Sequence, residues 1–235
     1  MTTRRSSSPL SPLSLALGSI AVLVATSGLA PSSASAQEAQ TSWAPRLYVD
    51  GQLGAFGDVR VSNGDSSSTD GLEPSGGGVI GIDVPVVPIF SLGVETGATV
   101  WNSEGGQDWE IDPSVLVHIS FMPRLRLPFG NGDQGGGHGA VYLAAQVGPT
   151  LSFVSDDLRD AVGSIGGSID TGIGLHGGGL LGAQIFFTRN VGIDIAAGYT
   201  HHVFWHDVNG PLGSDATLRV DLGQAMFRAG FAYAF

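Results

Sequence analysis

The sequence predicts an all-β chain: an eight-stranded antiparallel up-and-down transmembrane β-barrel, preceded by a cleavable signal peptide. Three observations predict it. Segments of about ten residues alternate apolar with small or polar residues, and clusters of Gly, Asp, Asn and Pro separate them. Of 235 residues, 42 % are hydrophobic and only 13 % charged, with no lysine, so the dense Lys and Glu coat of a soluble exterior is missing. Beyond residue 36 no stretch reaches the roughly 18 consecutive apolar residues of a membrane-spanning helix, so a crossing must be made by strands.

Residues 1–36 have the organisation of a secretory signal. Arg4 and Arg5 precede the apolar run "LSLALGSIAVLVATSGLA", which ends in the small residues "PSSASA". Cleavage is expected after Ala36, before "QEAQ", by ordinary Sec export. The "SSSPL" that follows the arginine pair lacks the rest of a twin-arginine pattern. A short periplasmic segment, 37–44, would then lead into a barrel over 45–235. The absence of cysteine excludes a disulfide scaffold, a thiolate metal site and a cysteine lipid anchor. Losing Arg4 and Arg5 takes the formal charge from −11 to −13, which repels nucleic-acid phosphates and argues against such a partner.

Reading the alternation along the chain gives eight strands, at about 46–56, 77–86, 90–101, 115–127, 140–153, 171–187, 191–204 and 218–235, with no helix of useful length after residue 36. In the third, Phe90, Leu92, Val94, Thr96, Ala98 and Val100 share one face, and Ser91, Gly93, Glu95, Gly97 and Thr99 the other. In the fifth, Val141, Leu143, Ala145, Val147, Leu151 and Phe153 oppose Tyr142, Gln146, Thr150 and Ser152. The second is the least regular, because Pro85 and Pro88 cannot donate to a ladder and suit a turn. The last alternates Phe227, Ala229, Phe231, Tyr233 and Phe235 with smaller residues.

The polar face decides which way the apolar face points. It holds small residues and isolated charges, including Asp50, Glu95, His118, Arg124, Arg126, His176, Gln184, Asp194, Gln224 and Arg228. Such a set fits the lumen of an eight-stranded barrel, which side chains alone can fill. The apolar face then meets lipid. Connections agree: 57–77, 101–114, 154–170 and 205–216 are long, whereas the turns at Pro85 to Pro88 and at 188–190 are tight. The glycine-rich turn at 129–140 is longer than the pattern requires.

Eight alternating segments behind a signal peptide, ending in "FRAGFAYAF", resemble the small outer-membrane β-barrel family of the OmpA-transmembrane and OmpX type, over essentially all of 45–235. The resemblance implies a cell outer-membrane location in a Gram-negative envelope. It also implies that Phe231, Tyr233 and Phe235 form the signal read by the barrel-assembly machinery. Nothing in the chain corresponds to the peptidoglycan-binding domain that follows the barrel in OmpA itself.

Chemistry has two candidate locations. The four long loops carry fourteen acids against two arginines, Arg60 and Arg159, and so hold nearly all the net charge. One reading is capture of divalent cations beside anionic lipopolysaccharide, with Asp156, Asp157 and Asp160 as candidate ligands, since hard cations take oxygen donors. The other is simple solvation of loops, for no Ca²⁺ loop of EF-hand spacing is present. In the lumen, Asp50, Glu95 and Asp194 would share space with Arg124, Arg126 and Arg228, and buried charges have to pair. A salt-bridge network is expected there, Arg228 pairing with Asp50 because the first and last strands are neighbours. It acts as a plug, or as the gate of a low-conductance channel, as the OmpA resemblance suggests.

Enzyme readings are weaker. His118 and Ser120 resemble the His-x-Ser element of lipid A deacylases, where histidine activates serine, but both face inward, away from a lipid substrate, and Phe121 stands where an Asn is expected. "THHVFWHD" gathers His201, His202, His206 and Asp207. His202 and His206 could join a metal site, yet adjacent His201 and His202 point to opposite faces, and Tyr199, Phe204 and Trp205 suit an interfacial girdle. An outer-membrane aspartyl protease would need a longer chain. The glycines of "GLHGGGLLG" precede no helix and so form no phosphate loop; they relieve crowding or permit curvature. The expectation is a non-enzymatic, monomeric barrel without a cofactor, with a structural or surface-interaction role through its acidic loops. Its partners would be membrane lipid and lipopolysaccharide.

Overall fold

The computed structural model of the chain describes residues 44–64, 66–102, 114–130, 138–210 and 215–235. The chain divides into two units, Met1–Ala36 and Gln37–Phe235. The expected signal peptide and residues 131–137 of the glycine-rich turn lie outside the described residues.

Eight long strands form an antiparallel up-and-down ring. In chain order they are β1 (Arg46–Asn63), β3 (Ser75–Val87), β4 (Phe90–Trp101), β5 (Ser114–Phe129), β6 (His138–Phe153), β8 (Gly172–Phe186), β9 (Val191–Asn209) and β10 (Asp215–Ala234). Each pairs with the next, and β10 pairs with β1 from Arg46↔Ala234 to Ser62↔Arg219, which closes the ring. Closure removes free strand edges, the condition for a sheet to sit in lipid. Two short strands extend the wall beyond the ring. β2 (Ser66–Gly71) folds back on β1, and β7 (Ser168–Ile169) adds to the end of β9.

Burial follows the period of two, with the polar residues inside. In β4, Ser91, Glu95 and Thr99 are buried while Val94 and Val100 are exposed. In β6, Tyr142, Gln146, Thr150 and Ser152 are buried and Val141, Leu143, Val147 and Leu151 exposed. Leu143 and Leu181 lie opposite each other on β6 and β8, 57 % and 61 % exposed. The inversion continues around the ring and produces the apolar band that a transmembrane barrel presents to hydrocarbon.

Several local expectations change: β1 continues to Asn63 and β9 to Asn209, and β2 and β7 form inside the segments 57–77 and 154–170, expected as loops. Pro85 is a strand residue, opposite Ser91, and only Pro88 enters the turn; the missing amide donor falls at a register shift between Pro85 and Val87. A helix, α1 (Asp156–Ser164), forms where none was expected. Leu158, Ala161 and Val162 give it a short apolar stripe, but at nine residues it is brief and it fully buries no side chain. Its signal is in the cap: the Ser155 side chain accepts from the Leu158 amide at 3.3 Å, and Asp156 and Asp157 occupy the positive first turn.

Candidate functional site

The lumen is filled in tiers. At the end where β1 starts and β10 finishes, Arg46, Arg124 and Arg126 surround the fully buried Asp83 carboxylate at 3.9, 4.0 and 3.8 Å. These separations exceed a direct hydrogen bond and suit bridging water.

Above them, Arg124 lies between two tyrosine rings, 4.5 Å from the centroid of Tyr48 and 4.9 Å from that of Tyr142. The ring faces attract the guanidinium and replace part of its lost hydration. Glycine makes room for both rings. A Cβ on Gly81 would stand 2.3 Å from the Tyr48 ring, and one on Gly182 2.4 Å from the Tyr142 ring. The tyrosine hydroxyls carry the network onward: Tyr48 donates to Glu95 at 3.0 Å, and Tyr142 to Asp194 at 2.7 Å. Gln184 donates to the other Asp194 oxygen at 2.7 Å.

Arg228 crosses the lumen to Glu95. Its Nη1 donates to both carboxylate oxygens, at 3.0 and 2.9 Å, and its Nη2 to the Gln146 carbonyl at 3.3 Å. Three imidazoles follow, His118, His176 and His202, with ring centroids 5.2, 5.2 and 6.1 Å apart. His176 faces the Ser120 hydroxyl at 2.8 Å and that of Thr150 at 2.9 Å; His202 shares Thr150 at 3.2 Å. Toward the loop end, Val59, Leu72, Leu116, Phe204, Val220 and Leu222 pack into an apolar cap, with Trp101 against it. The filled interior therefore runs from an ionic floor to an apolar lid.

The predicted lumenal residues are distributed as follows. Glu95, Arg124, Arg126, Asp194 and Arg228 join the contacts above, and Asp50 is buried with one carboxylate oxygen lacking a hydrogen-bond partner. Arg228 does not pair with Asp50 as expected, because Gln52, not Asp50, is its register neighbour on β1 and its long side chain points across the barrel. Sequence reasoning missed Arg46, Tyr48 and Asp83. Their inward parity was available; their convergence on Arg124 was not.

The other candidates lie apart. His206 does not join His202 at a metal; it donates from Nδ1 to the Asp170 carbonyl at 2.8 Å. His201 points outward, 3.7 Å from Asp221. Asp156 is engaged by Arg159 at 3.0 Å on the surface of α1, beside Asp157 and ahead of Asp160. Phe231, Tyr233 and Phe235 all face outward, Phe231 at 72 % exposure. His118 and Ser120 do not bond to each other, since same-face neighbours on one strand are held apart; Ser120 meets His176 from β8 instead.

No protein-family model matches the chain, and no curated protein matches it by sequence. Solved structures do match it. The outer membrane protein OprG from Pseudomonas aeruginosa aligns over 82 % of this chain and 96 % of its own, at 14 % identity and a TM-score of 0.58. Neisserial surface protein A aligns over 80 % of this chain and 97 % of its own, at 18 % identity and a TM-score of 0.39. With the closed ring and the inverted burial pattern, the OprG alignment gives this chain the fold of the small eight-stranded outer-membrane β-barrels.

Proposed function

We propose that the protein is a Gram-negative outer-membrane barrel with a closed lumen, non-enzymatic, whose structural or surface-interaction role is carried by its acidic loop end. The supporting observation is the filled interior: an Arg228–Glu95 clamp at 2.9 Å lies beneath a cap of six buried apolar side chains. A path for solute would require both to be displaced. In this reading the signal peptide is removed near Ala36, and Phe231, Tyr233 and Phe235 engage the barrel-assembly machinery. The working barrel is a monomer among lipid and lipopolysaccharide, with Asp156, Asp157 and Asp160 as candidate ligands for divalent cations at the surface. The Ser120–His176 contact does not argue for hydrolysis, because the second His176 nitrogen meets a threonine hydroxyl and not a carboxylate, and both residues are buried.

A second reading, a low-conductance channel gated by the lumenal ions, draws support from the loose floor around Asp83, where three cations share one carboxylate. Planar-bilayer recording of refolded residues 37–235 separates the two. Silence, with folding verified by a heat-dependent gel shift, supports the closed barrel. Discrete steps altered by Glu95→Gln would replace it with the channel.

A further inference from the structure

The six histidines of the chain divide into two groups of three. His138, His201 and His206 lie outside the middle of the lumen, whereas His118, His176 and His202 come from β5, β8 and β9 into one tier at 4, 3 and 3 % exposure. Three imidazoles in contact inside a membrane barrel are a poor way to fill space. Each brings two polar nitrogens that must be satisfied, where a leucine would bring none. From this tier we infer a lumenal binding site for one borderline transition-metal ion of the Cu²⁺ or Zn²⁺ class, with His118, His176 and His202 as its ligands.

Spacing is the first support. Imidazole nitrogens bind such ions at roughly 2.0–2.1 Å, which sets the centres of rings sharing one ion roughly 5 Å apart. The observed 5.2, 5.2 and 6.1 Å fall close to that. Second, His118 has a free nitrogen: its Nδ1 is buried without a hydrogen-bond partner, while its Nε2 lies 3.9 Å from Glu95. A metal-bound histidine characteristically turns its second nitrogen toward a carboxylate, and Glu95 lies on that side of His118, at a separation longer than a direct hydrogen bond. Third, the ligand type fits. Without cysteine, and with the nearest carboxylate already clamped by Arg228, the tier offers imidazole, which suits Cu²⁺ and Zn²⁺ better than Mg²⁺ or Ca²⁺.

Among the described residues no three His, Asp or Glu side chains already converge on a metal position. The reason lies in the tier itself, where the Ser120 and Thr150 hydroxyls hold both His176 nitrogens and one of His202. Binding exchanges at least one hydroxyl contact for the ion by rotation of a ring, and the freed hydroxyl stays as a neighbour that can orient the ligands. The apolar lid above the tier and the Arg228–Glu95 clamp below it would then retain the ion.

The test is to refold residues 37–235 with Cu²⁺, remove unbound ion, and record the metal content and the electron paramagnetic resonance spectrum. The expected result is one Cu²⁺ per barrel with splitting from about three imidazole nitrogens. It should be unchanged in a His138→Gln, His201→Gln, His206→Gln variant, and affinity should fall at least about tenfold in His118→Gln, His176→Gln or His202→Gln. A folded barrel that binds no Cu²⁺, or binding that disappears with the other three histidines, overturns the assignment. The last comparison needs no lumenal substitution, so it stands even if the lumenal variants fail to fold.

Discussion

Arg228 on β10 and Glu95 on β4 meet across the lumen, with one guanidinium nitrogen 3.0 and 2.9 Å from the two carboxylate oxygens. Both side chains are at most 2 % exposed. Removing one partner leaves a charge buried in the barrel, a loss of about 3–5 kcal/mol. Arg228→Ala and Glu95→Gln should each lower the urea midpoint in lipid vesicles. The double change Glu95→Gln, Arg228→Met should recover much of the loss. A double variant that loses the sum of the two single losses would show that the pair is not coupled.

The Gly81 site is matched to the Tyr48 ring. An added methyl at 81 would meet Tyr48 at 2.3 Å and the Glu95 Cβ at 2.8 Å. Gly81→Ala should therefore cost about 1–3 kcal/mol by overpacking. Combining it with Tyr48→Leu should relieve part of that cost. A Gly81→Ala barrel with wild-type stability would mean that the ring moves aside freely.

Charge placed on the outward apolar face reports on whether that face meets lipid. Leu181→Arg, at a position 61 % exposed and opposite Leu143, should destabilise the vesicle-inserted barrel by about 2–4 kcal/mol if 181 lies near the bilayer midplane. On a water-facing surface the same change would be close to neutral. Chemical denaturation in vesicles distinguishes the two outcomes.

Replacing Phe231, Tyr233 and Phe235 together with serine tests their role in biogenesis. Assembly in cells should fall several-fold by surface-protease accessibility. Refolding of the purified chain into detergent should persist, because these rings point away from the lumen. A defect confined to refolding would make them structural rather than a recognition signal.

Ser155 caps α1 at the loop end. Ser155→Ala removes the acceptor for the Leu158 amide and should cost about 1 kcal/mol, confined to α1. Hydrogen exchange should quicken over 156–164, with the barrel strands unaffected. Quickening throughout the barrel would show that the helix is coupled to the wall.

What was legible in the sequence was the face each strand residue occupies. A period of two is a local property of extended backbone, so Glu95, Arg124, Asp194 and Arg228 could be assigned to one side and Leu143 and Val147 to the other without any partner strand. The scarcity of charge and the absence of lysine then turned the apolar side outward. Tertiary structure decided who meets whom across the lumen. That depends on the stagger of the closed ring and on side-chain length, and neither is written in any one segment. Arg228 passes its strand neighbour to reach Glu95, Asp83 draws three arginines from two strands, and histidines from β5, β8 and β9 become a single tier. The helix at 156–164 escaped because it is short: its apolar spacing of Leu158, Ala161 and Val162 covers barely two turns, and a cap and surface charge mark it instead.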